Sequence, residues 1–410
     1  MEMSADITED SPNDCVTNLI STMPSLNELF HIYGKVGEGT FSSVFLGILK
    51  KSKSTKKFAL KYLVPTSHPD RVKRELECLQ KIGGTDHIVG LEMCLRYQGS
   101  IVFVMPYLRH NKFSDYVHDM SIQETKDYMR ALLTALRRVH KFNVIHRDIK
   151  PTNFLYDRHN RRYLLVDFGL AQKVSKPNTI NRPKQTELQP MSLKRKRLDE
   201  NTKTSLNMGR KVEEKCFCFG KPKICSICLI RPTETAPRAG TPGFRAPEVL
   251  LKHNAQTSAI DIWASGVILL CILSGAISFF HGPDDCSALA EITSVFGTSK
   301  VQQYARQLGV LDLILVFSFG FDMLLLLFIL CLSSIISGKK IIFSEEIPET
   351  DIMLLCQKLR RRKSSNIPDE ESTNIEYPRE AYSLLTRLLS INYKTRITAE
   401  EALNEPFLRQ

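Results

Sequence analysis

The segment His146–Asn153 holds three side chains whose types and spacing suit the transfer of a phosphoryl group. Asp148 can accept a hydrogen bond from an attacking hydroxyl, and Lys150 can neutralise charge on the moving phosphate. Asn153, five residues after Asp148, can hold a Mg²⁺ ion through its amide oxygen. We therefore predict a catalytic loop in which Asp148 is the base and Lys150 assists it.

A second acidic residue, Asp167, follows Asp148 by 19 positions and begins an Asp-Phe-Gly tripeptide. The apolar run at residues 163–166 before it is typical of a buried strand. A carboxylate at the end of such a strand is held in one place. We therefore predict that Asp167 binds Mg²⁺ directly, together with Asn153.

A glycine-containing turn lies between two strand-like runs near the start of the chain. Gly37 and Gly39 let the backbone approach phosphate oxygens and offer amide N–H groups to them. Glu38 lies between them, Val44 is placed to cover one face of an adenine ring, and all four are predicted to bind nucleotide. A plain hairpin turn remains the alternative for this segment taken alone, because Ser42 stands where a third glycine is expected.

Lys61 ends the third predicted strand and needs a carboxylate partner if it is to hold nucleotide phosphates. Glu75 and Glu77 both lie on the next predicted helix. They point about 200° apart around its axis, and Leu79, one turn after Glu75, is a core-type residue. We therefore predict that Glu75 faces Lys61 and that Glu77 faces away.

These side chains need a sheet and several helices to position them. Runs rich in Val, Phe and Leu within Tyr33–Leu63 predict three antiparallel strands, and residues 101–105 predict a further buried strand. Apolar positions at helical spacing predict helices over His68–Lys81, Ser121–Phe142, 258–275 and 379–405. The chain thus changes from mostly strand to mostly helix, which indicates an α+β fold.

Together with Ala246-Pro247-Glu248, these motifs resemble the signature set of the eukaryotic protein kinase family, over about residues 33–408. The resemblance implies a bilobal protein kinase fold, with a small β-rich N-lobe and a larger helical C-lobe that carry inserts. It also implies ATP and Mg²⁺ as cofactors. Lys150 and Thr241 follow the pattern of the serine/threonine kinases.

The same resemblance implies two structural roles and a set of domain limits. Asp261 is expected to anchor the backbone of the catalytic loop, and Arg396 is expected to pair with Glu248. The expected parts are an N-terminal tail (1–30), within which residues 25–30 are the candidate for a short helix, the N-lobe (31–106), the first part of the C-lobe (107–171), an insert in the activation segment (172–235) and the rest of the C-lobe (236–410).

The insert is predicted from the 81 residues between Asp167 and Glu248, about three times what a kinase activation segment needs. Its polar composition indicates little regular structure. Near its end stand two close pairs of cysteines, Cys216, Cys218, Cys225 and Cys228. Four thiolates suit tetrahedral Zn²⁺, so we predict a zinc knuckle. Unligated thiols remain the alternative, since the first pair is tightly spaced.

Further segments narrow the resemblance to the family of cell division cycle 7-related kinases, namely residues 40–44, 64–69, 105–108 and 237–245. That family implies a dumbbell-former-type regulatory subunit as activator and the minichromosome maintenance helicase as substrate, at the initiation of DNA replication. It also implies an adenine pocket with Met105 as gatekeeper and residues 106–108 as the hinge that hydrogen-bonds adenine, so that Ala59, Met105, Pro106 and Leu108 are expected to bind the nucleotide.

Two arginines, Arg238 and Arg245, bracket the loop that contains Thr241. This loop is expected to face the residue that follows the phosphorylated Ser or Thr. Two guanidinium groups there can pair with carboxylate or phosphate, which favours acidic or primed substrate sites. The alternative is that Arg245 holds only the loop itself.

The formal net charge of +12 is concentrated in residues 172–235, which hold 15 Lys or Arg against 6 Asp or Glu. The run Lys194–Arg197 predicts a nuclear import signal, with a solvated basic loop as the alternative. No sequence-specific binding of nucleic acid is expected. Residues 1–15 are acidic and polar, unlike a secretory signal, so the eleven cysteines are expected to be reduced.

Residues 310–338 do not fit the family pattern. They are apolar except for Asp312 and Asp322 and are long enough to span a bilayer. A single crossing would separate parts of the helical lobe that must pack together, so no membrane partner is expected. The favoured interpretation is non-coding sequence translated into the chain or a variant transcript; a buried extra helix and a real membrane segment are the alternatives.

An active serine/threonine kinase that depends on a partner is the principal prediction. A catalytically impaired scaffold that binds the regulatory subunit is the alternative, if residues 310–338 spoil the helical lobe. A membrane-tethered kinase is the third possibility. The complete set of Lys61, Asp148, Asn153 and Asp167 favours the active enzyme, because a scaffold has no use for all four.

Overall fold

The computed structural model describes residues 12–39, 42–52, 55–64, 67–174, 240–254, 256–308, 346–364 and 375–409, and the structural statements below concern these residues. Within them, an antiparallel sheet comes first and a larger helical part follows. The predicted α+β class and the change from strand to helix along the chain are confirmed.

The N-lobe is built on a five-stranded antiparallel sheet with the strand order β1-β2-β3-β5-β4. The strands are β1 (Phe30–Gly39), β2 (Ser42–Leu49), β3 (Lys57–Leu63), β4 (Met93–Tyr97) and β5 (Ser100–Pro106). The three strands predicted within Tyr33–Leu63 and the strand at 101–105 are confirmed. Strand β4 was not predicted, because this edge strand is largely exposed and shows no alternation of apolar and polar residues.

The prediction of a tail over residues 1–30 is wrong for the described residues from Pro12 onward. They form two helices, α1 (Pro12–Thr22) and α2 (Pro24–Leu29), which pack on one face of the sheet. The apolar residues of that face alternate along the strands, as a buried sheet face requires. This second hydrophobic core contains Leu19, Met23, Leu26, Phe30, Phe45, Phe58, Leu60, Val102 and Val104.

The helix predicted over His68–Lys81 is confirmed as α3 (Pro69–Lys81). His68 caps it, since its side chain accepts a hydrogen bond from the amide of Asp70, and Pro69 occupies the first helical position, where its missing N–H is not needed. The helix buries Glu75, Cys78 and Leu79. A glutamate is thus aimed into the protein rather than into water.

The C-lobe is organised around α4 (Ile122–Lys141), which confirms the helix predicted over Ser121–Phe142. The Ser121 hydroxyl caps it by accepting a bond from the amide of Glu124, at 3.1 Å. Its apolar stripe lies in the main hydrophobic core, as the helical spacing predicts. That stripe includes Tyr128, Leu132, Leu133, Leu136 and Val139.

Four short strands frame the catalytic loop. They are β6 (Val144–Ile145), β7 (Phe154–Asp157), β8 (Arg162–Leu165) and β9 (Gln172–Lys173), paired as β6 with β9 and β7 with β8. The boundary predicted at residue 172 is therefore early. Gln172 and Lys173 pair with β6, and the amide of Val174 donates to the carbonyl of Asn143, at 2.8 Å.

The remaining helices are α5 (Pro247–Leu250), α6 (Ala259–Ser274), α7 (Asp285–Phe296), α8 (Thr298–Gln307), α9 (Ile352–Ser364), α10 (Arg379–Leu388), α11 (Ala399–Leu403) and α12 (Pro406–Arg409). Helix α6 confirms the prediction over 258–275; it is apolar on all sides and almost entirely buried, as a central helix should be. The continuous helix predicted over 379–405 is wrong, because the chain turns after α10 and a capping box of Thr398 and Glu401 starts α11 afresh.

The chain segment before residue 309 and the segment after residue 345 lie side by side. Ser299, in the first turn of α8, donates to Glu346 at 2.7 Å, and the amide of Thr298 donates to the carbonyl of Ile347 at 3.0 Å. Residues 310–338 lie outside the described residues. Across the described part of the chain, no helix is long and apolar enough to cross a membrane.

Candidate active site

A buried lysine joins the sheet to α3 and to the end of β8. Nζ of Lys61 lies 2.5 Å from Oε1 of Glu75 and 2.7 Å from Oδ1 of Asp167. Burial acts to lower the pKa of Lys61, but the two carboxylates outweigh it, so the pKa of Lys61 is raised above its usual value. The structure thus brings together the predicted lysine, its predicted glutamate and the predicted metal ligand.

The competing glutamate faces elsewhere. The side chain of Glu77 lies on a partly exposed side of α3 and contacts Lys173 at 3.0 Å and Lys81 at 3.9 Å. Those two ammonium groups lower the pKa of Glu77. The two glutamates therefore point apart around the helix, as the sequence predicted.

Asp167 is ionised at neutral pH. Burial acts to raise the pKa of its carboxyl, but the charge of Lys61 and the amide of Gly169 outweigh burial and lower the pKa to about 2. Its backbone has the left-handed value φ 66°, which is uncommon for a residue with a side chain and occurs where a functional site holds the chain under strain. The carboxylate is thus available to bind a cation.

The catalytic loop gathers four predicted residues around one carboxylate. Asp148 accepts a hydrogen bond from the hydroxyl of Thr241 at 2.7 Å and from the amide nitrogen of Asn153 at 2.9 Å. Lys150 lies 3.0 Å from Asp148 and 2.8 Å from the oxygen of Thr241. A hydroxyl, a base and a cation are therefore in direct contact.

Asp261 fixes the backbone of that loop, as expected. Its two oxygens accept bonds from the amides of His146 and Arg147, each at 2.8 Å, and one of them also lies 2.9 Å from Nε2 of His140. Arg147 has φ 69°, so its left-handed backbone is held by a carboxylate that is only 1% exposed. The position of Asp148, the next residue, depends on this contact.

A second expected ion pair lies below the loop. Nη1 of Arg396 donates to Oε1 of Glu248 at 2.7 Å, and Nη2 donates to Oε2 at 3.0 Å. The side chains are 0% and 1% exposed, and the arginine also stacks over the ring of Trp263 with a distance of 5.2 Å. This pair ties α5 to the turn between α10 and α11, and the expectation is confirmed.

A cleft of about 700 Å³ lies between the sheet and the catalytic loop, and Glu75 and Lys150 are among the residues that line it. Glu38, Gly39 and Lys61 line it from the sheet, and Asp148 and Asp167 line it from below. A volume of this size suits a nucleotide. Half of the residues that line the cleft are charged, which suits the phosphate groups of such a ligand.

The predicted adenine-binding residues lie next to one another in the sheet. Val44 is opposite both Gly37 and Lys61, and Ala59 is opposite Met105, which is buried. In the same β3–β5 pairing, Pro106 lies opposite Phe58. Leu108, two residues after the end of β5, is buried. The pairing therefore places Val44, Ala59 and Met105 on one face of the sheet, whereas Pro106 is paired with Phe58 on the opposite face.

The guanidinium group of Arg245 is hydrogen-bonded to other residues of the protein. Its Nε and Nη2 donate to the carbonyl of Gly240 at 2.9 and 2.8 Å, and its Nη1 lies 2.9 Å from Oδ1 of Asp285. In this structure Arg245 therefore holds the loop, which was the alternative to substrate recognition. Arg238 lies outside the described residues.

The predicted zinc ligands Cys216, Cys218, Cys225 and Cys228 also lie outside the described residues. Within the described part, no group of three or more His, Cys, Asp or Glu side chains could hold a metal ion.

Sequence reasoning missed two residues near the site. Arg71 lines the cleft one helical turn before Glu75, and its position four residues earlier on the same helix face could have revealed it. Asp285 contacts Arg245 across 40 residues of chain, and no local pattern signals such a pair.

The sequence matches the protein kinase domain over residues 30–189 and 225–408. The two matched ranges leave out residues 190–224, which fall inside the predicted insert.

Several curated proteins are similar to this chain over most of its length. The non-specific serine/threonine protein kinase Cdc7 of Drosophila melanogaster is 32% identical, over 96% of this chain and 76% of that protein. The Cell division cycle 7-related protein kinase of Homo sapiens is 31% identical, over 96% of this chain and 92% of that protein. The Cell cycle serine/threonine-protein kinase hsk1 of Schizosaccharomyces pombe is 30% identical, over 96% of this chain and 75% of that protein.

Proposed function

Because the chain belongs to the protein kinase family, and within it to the Cdc7-related serine/threonine kinases of the cell cycle, we propose that its substrates are Ser or Thr residues in acidic or primed sites. The reaction moves the γ-phosphoryl group of ATP. The proposal is supported by one observation: Lys61 contacts Glu75 and Asp167 in the cleft where Asp148 accepts a hydrogen bond from a hydroxyl group.

Thr241 indicates how an alcohol is held. Its hydroxyl donates to Asp148 and accepts from Lys150, and a substrate hydroxyl can use the same base and cation. In the reaction, the alcohol oxygen bonds to the γ-phosphorus while the bond to the bridging oxygen of ADP breaks. The alcohol proton passes to Asp148, and Lys150 stabilises charge on the moving group.

The residues of the cleft fit MgATP. Lys61 is a buried cation for the phosphates, and the ionised carboxylate of Asp167 and the amide oxygen of Asn153 are the hard oxygen ligands that Mg²⁺ prefers. When bound, the metal neutralises charge that develops on the phosphates. The amide nitrogen of Asn153 is engaged by Asp148, which leaves the oxygen as the ligand atom.

The proposed substrate is the minichromosome maintenance helicase, and the proposed outcome is the firing of DNA replication origins. Both rest on the resemblance of the sequence motifs. The proposed activator is a dumbbell-former-type regulatory subunit. A partner has a physical rationale, because the contact between Lys61 and Glu75 exists only while α3 packs inward against the sheet.

Two further parts of the proposal rest on sequence alone. The run Lys194–Arg197 supports a nuclear location, and the four cysteines Cys216, Cys218, Cys225 and Cys228 support a structural Zn²⁺. Zinc content measured before and after Cys225→Ser tests the second of these, since an unchanged stoichiometry removes the zinc knuckle.

A phosphotransfer assay tests the central proposal. The full chain, with and without the regulatory subunit, is given radiolabelled ATP, Mg²⁺ and a peptide with one Ser followed by an acidic residue. Label is expected on the Ser, with more transfer when the subunit is present. An absence of label under both conditions, from a chain shown to be folded and to bind ATP, contradicts the proposal and supports the scaffold.

A further inference from the structure

Arg245 lies beside the catalytic base. It lines the same small cavity, of about 20 Å³, as Asp148 and Thr241. Its hydrogen bonds to the carbonyl of Gly240 hold it there, and Gly240 directly precedes Thr241, whose hydroxyl contacts Asp148. An anionic group on the residue next to a bound Ser or Thr therefore comes close to the Arg245 guanidinium.

Asp285 already compensates the charge of this arginine. Its Oδ1 lies 2.9 Å from Nη1 of Arg245, and the two side chains are only 9% and 17% exposed. Water screens such a pair weakly, so the two charges largely cancel locally. The α7 cap does not require Asp285, because Asp284 accepts the bonds from the amides of Cys286 and Ser287.

Arg245 keeps hydrogen-bonding capacity in spite of these contacts. A guanidinium has five N–H groups, and the contacts to Gly240 and Asp285 use three of them. The other two can donate to a substrate anion without breaking the contact that holds the loop. Asp285 then weakens the attraction that Arg245 exerts on that anion.

We propose that Asp285 is a specificity-determining residue that masks the charge of Arg245 and so limits the preference for an acidic or phosphorylated residue next to the phosphoacceptor. This inference rests on the proposed function, because it concerns the acceptor side of the same site. A substrate anion is attracted by Arg245 and repelled by Asp285 at a similar distance. A neutral residue at that position interacts weakly with both charges. Asp285 therefore reduces the difference in kcat/KM between acidic and neutral substrate sites.

Three peptides test the proposal. They contain one phosphoacceptor Ser and differ only in the next residue, which is Ala, Asp or phosphoserine. The specificity constant kcat/KM is measured for the full chain and for Asp285→Asn, which removes the charge and keeps the size. A unit charge at roughly 6 Å, with an effective dielectric constant of about 40, changes the affinity for a carboxylate about tenfold.

The expected result is a change in ratios rather than in overall rate. In Asp285→Asn, the Asp/Ala ratio of kcat/KM rises about tenfold, and the phosphoserine/Ala ratio rises further because phosphate carries more charge. The value for the Ala peptide stays near that of the wild type. The variant Asp285→Ala removes the same charge through a different side chain and is expected to raise the same ratios.

Two controls isolate the charge of Asp285. The variant Asp285→Glu keeps the charge and is expected to keep the wild-type ratios. Glu400→Gln removes one negative charge at the surface, where Glu400 lies 3.6 Å from Arg137, and is expected to change neither ratio.

The outcomes separate this inference from the proposed function. If the wild type phosphorylates none of the peptides, the proposed function fails. If the wild type is active but the ratios stay constant or fall in Asp285→Asn and Asp285→Ala, the masking role is refuted. Loss of activity on all three peptides in both variants also refutes it, because Asp285 would then be a structural residue.

Discussion

Glu75 and Lys61 form a buried ion pair, with Oε1 of Glu75 2.5 Å from Nζ of Lys61 and side chains that are 5% and 7% exposed. The pair connects α3 to β3, so any movement of α3 away from the sheet separates the two charges. Asp167 holds Lys61 from the other side. The orientation of Lys61 therefore depends on the position of α3.

The variant Glu75→Gln is expected to lower kcat/KM for ATP on the order of 10- to 100-fold, because Lys61 loses its main neutralising partner. Glu77→Gln is the matched control: it makes the same change two residues later, at an exposed ion pair with Lys173, and is expected to stay within about twofold. Equal losses in the two variants would show that α3, rather than the Glu75 carboxylate, is responsible.

The variant Asp148→Asn is expected to lower the rate of phosphotransfer on the order of 10²- to 10⁴-fold, the usual contribution of a general base. ATP affinity is expected to remain near that of the wild type, since Lys61 and Asp167 are unchanged. Stopped-flow rates and equilibrium ATP titration measure the two quantities. A residual rate above about one tenth of the wild-type rate would remove Asp148 from the role of base.

The variant Arg396→Met is expected to reduce the free energy of unfolding by about 3–5 kcal/mol, because it leaves the buried carboxylate of Glu248 without its bidentate partner. Thermal unfolding measures this as a lowered Tm. Arg137→Met breaks an exposed pair with Glu400 and is expected to cost at most about 1 kcal/mol. Similar losses of unfolding free energy in both variants would mean that burial does not make the pair of Arg396 and Glu248 contribute more to stability than an exposed pair.

Deletion of residues 310–338 is expected to leave the fold and the phosphotransfer rate intact. The chain leaves at the end of α8 and is again described at Glu346, beside Ser299 in the first turn of α8. The two ends are therefore about 15 Å apart, the length of that helix, and the eight residues that remain can span about 26 Å. A loss of soluble, cooperatively folded protein after the deletion would contradict this expectation.

The stabilising effect of Asp167 is expected to disappear in acid. Its folded pKa of about 2 lies below the value of about 3.9 for an unfolded aspartate, so its contribution is complete above about pH 4 and is lost as the pH falls towards 2. The side chain is 44% exposed, so solvent reduces the size of the effect. Denaturant unfolding of the wild type and Asp167→Asn, compared from pH 6 to pH 3, should show a difference that shrinks below pH 4. A constant difference would contradict the assigned shift.

The contacts among the predicted site residues could be foreseen from the sequence because the proposed chemistry fixes their spacing. Asp148 and Asn153 must share one short loop, and Glu75 is identified by the helical angle that separates it from Glu77. The helices α3, α4 and α6 were found for a similar reason, since each has a long apolar stripe or a continuous apolar run.

The features that were missed depend on distant parts of the chain. The contact between Arg245 and Asp285 joins a loop to the first residue of α7, 40 residues further along the chain, and neither residue carries a local signal for it. Helix α1 was not predicted, whereas α2 corresponds to the short helix considered for residues 25–30; both are too short to be stable alone, and Pro24 separates their apolar residues into two small groups. Their stability comes from the sheet on which they pack.

That packing has a practical consequence for anyone who shortens this protein. The kinase match starts at residue 30, which suggests a natural place to cut, yet Met23 and Leu26 are completely buried against strands that lie beyond that point. A fragment that starts at residue 30 would expose apolar side chains of the sheet, including Phe45 and Leu60, and would tend to aggregate. Useful truncations should therefore retain the residues from Pro12 onward.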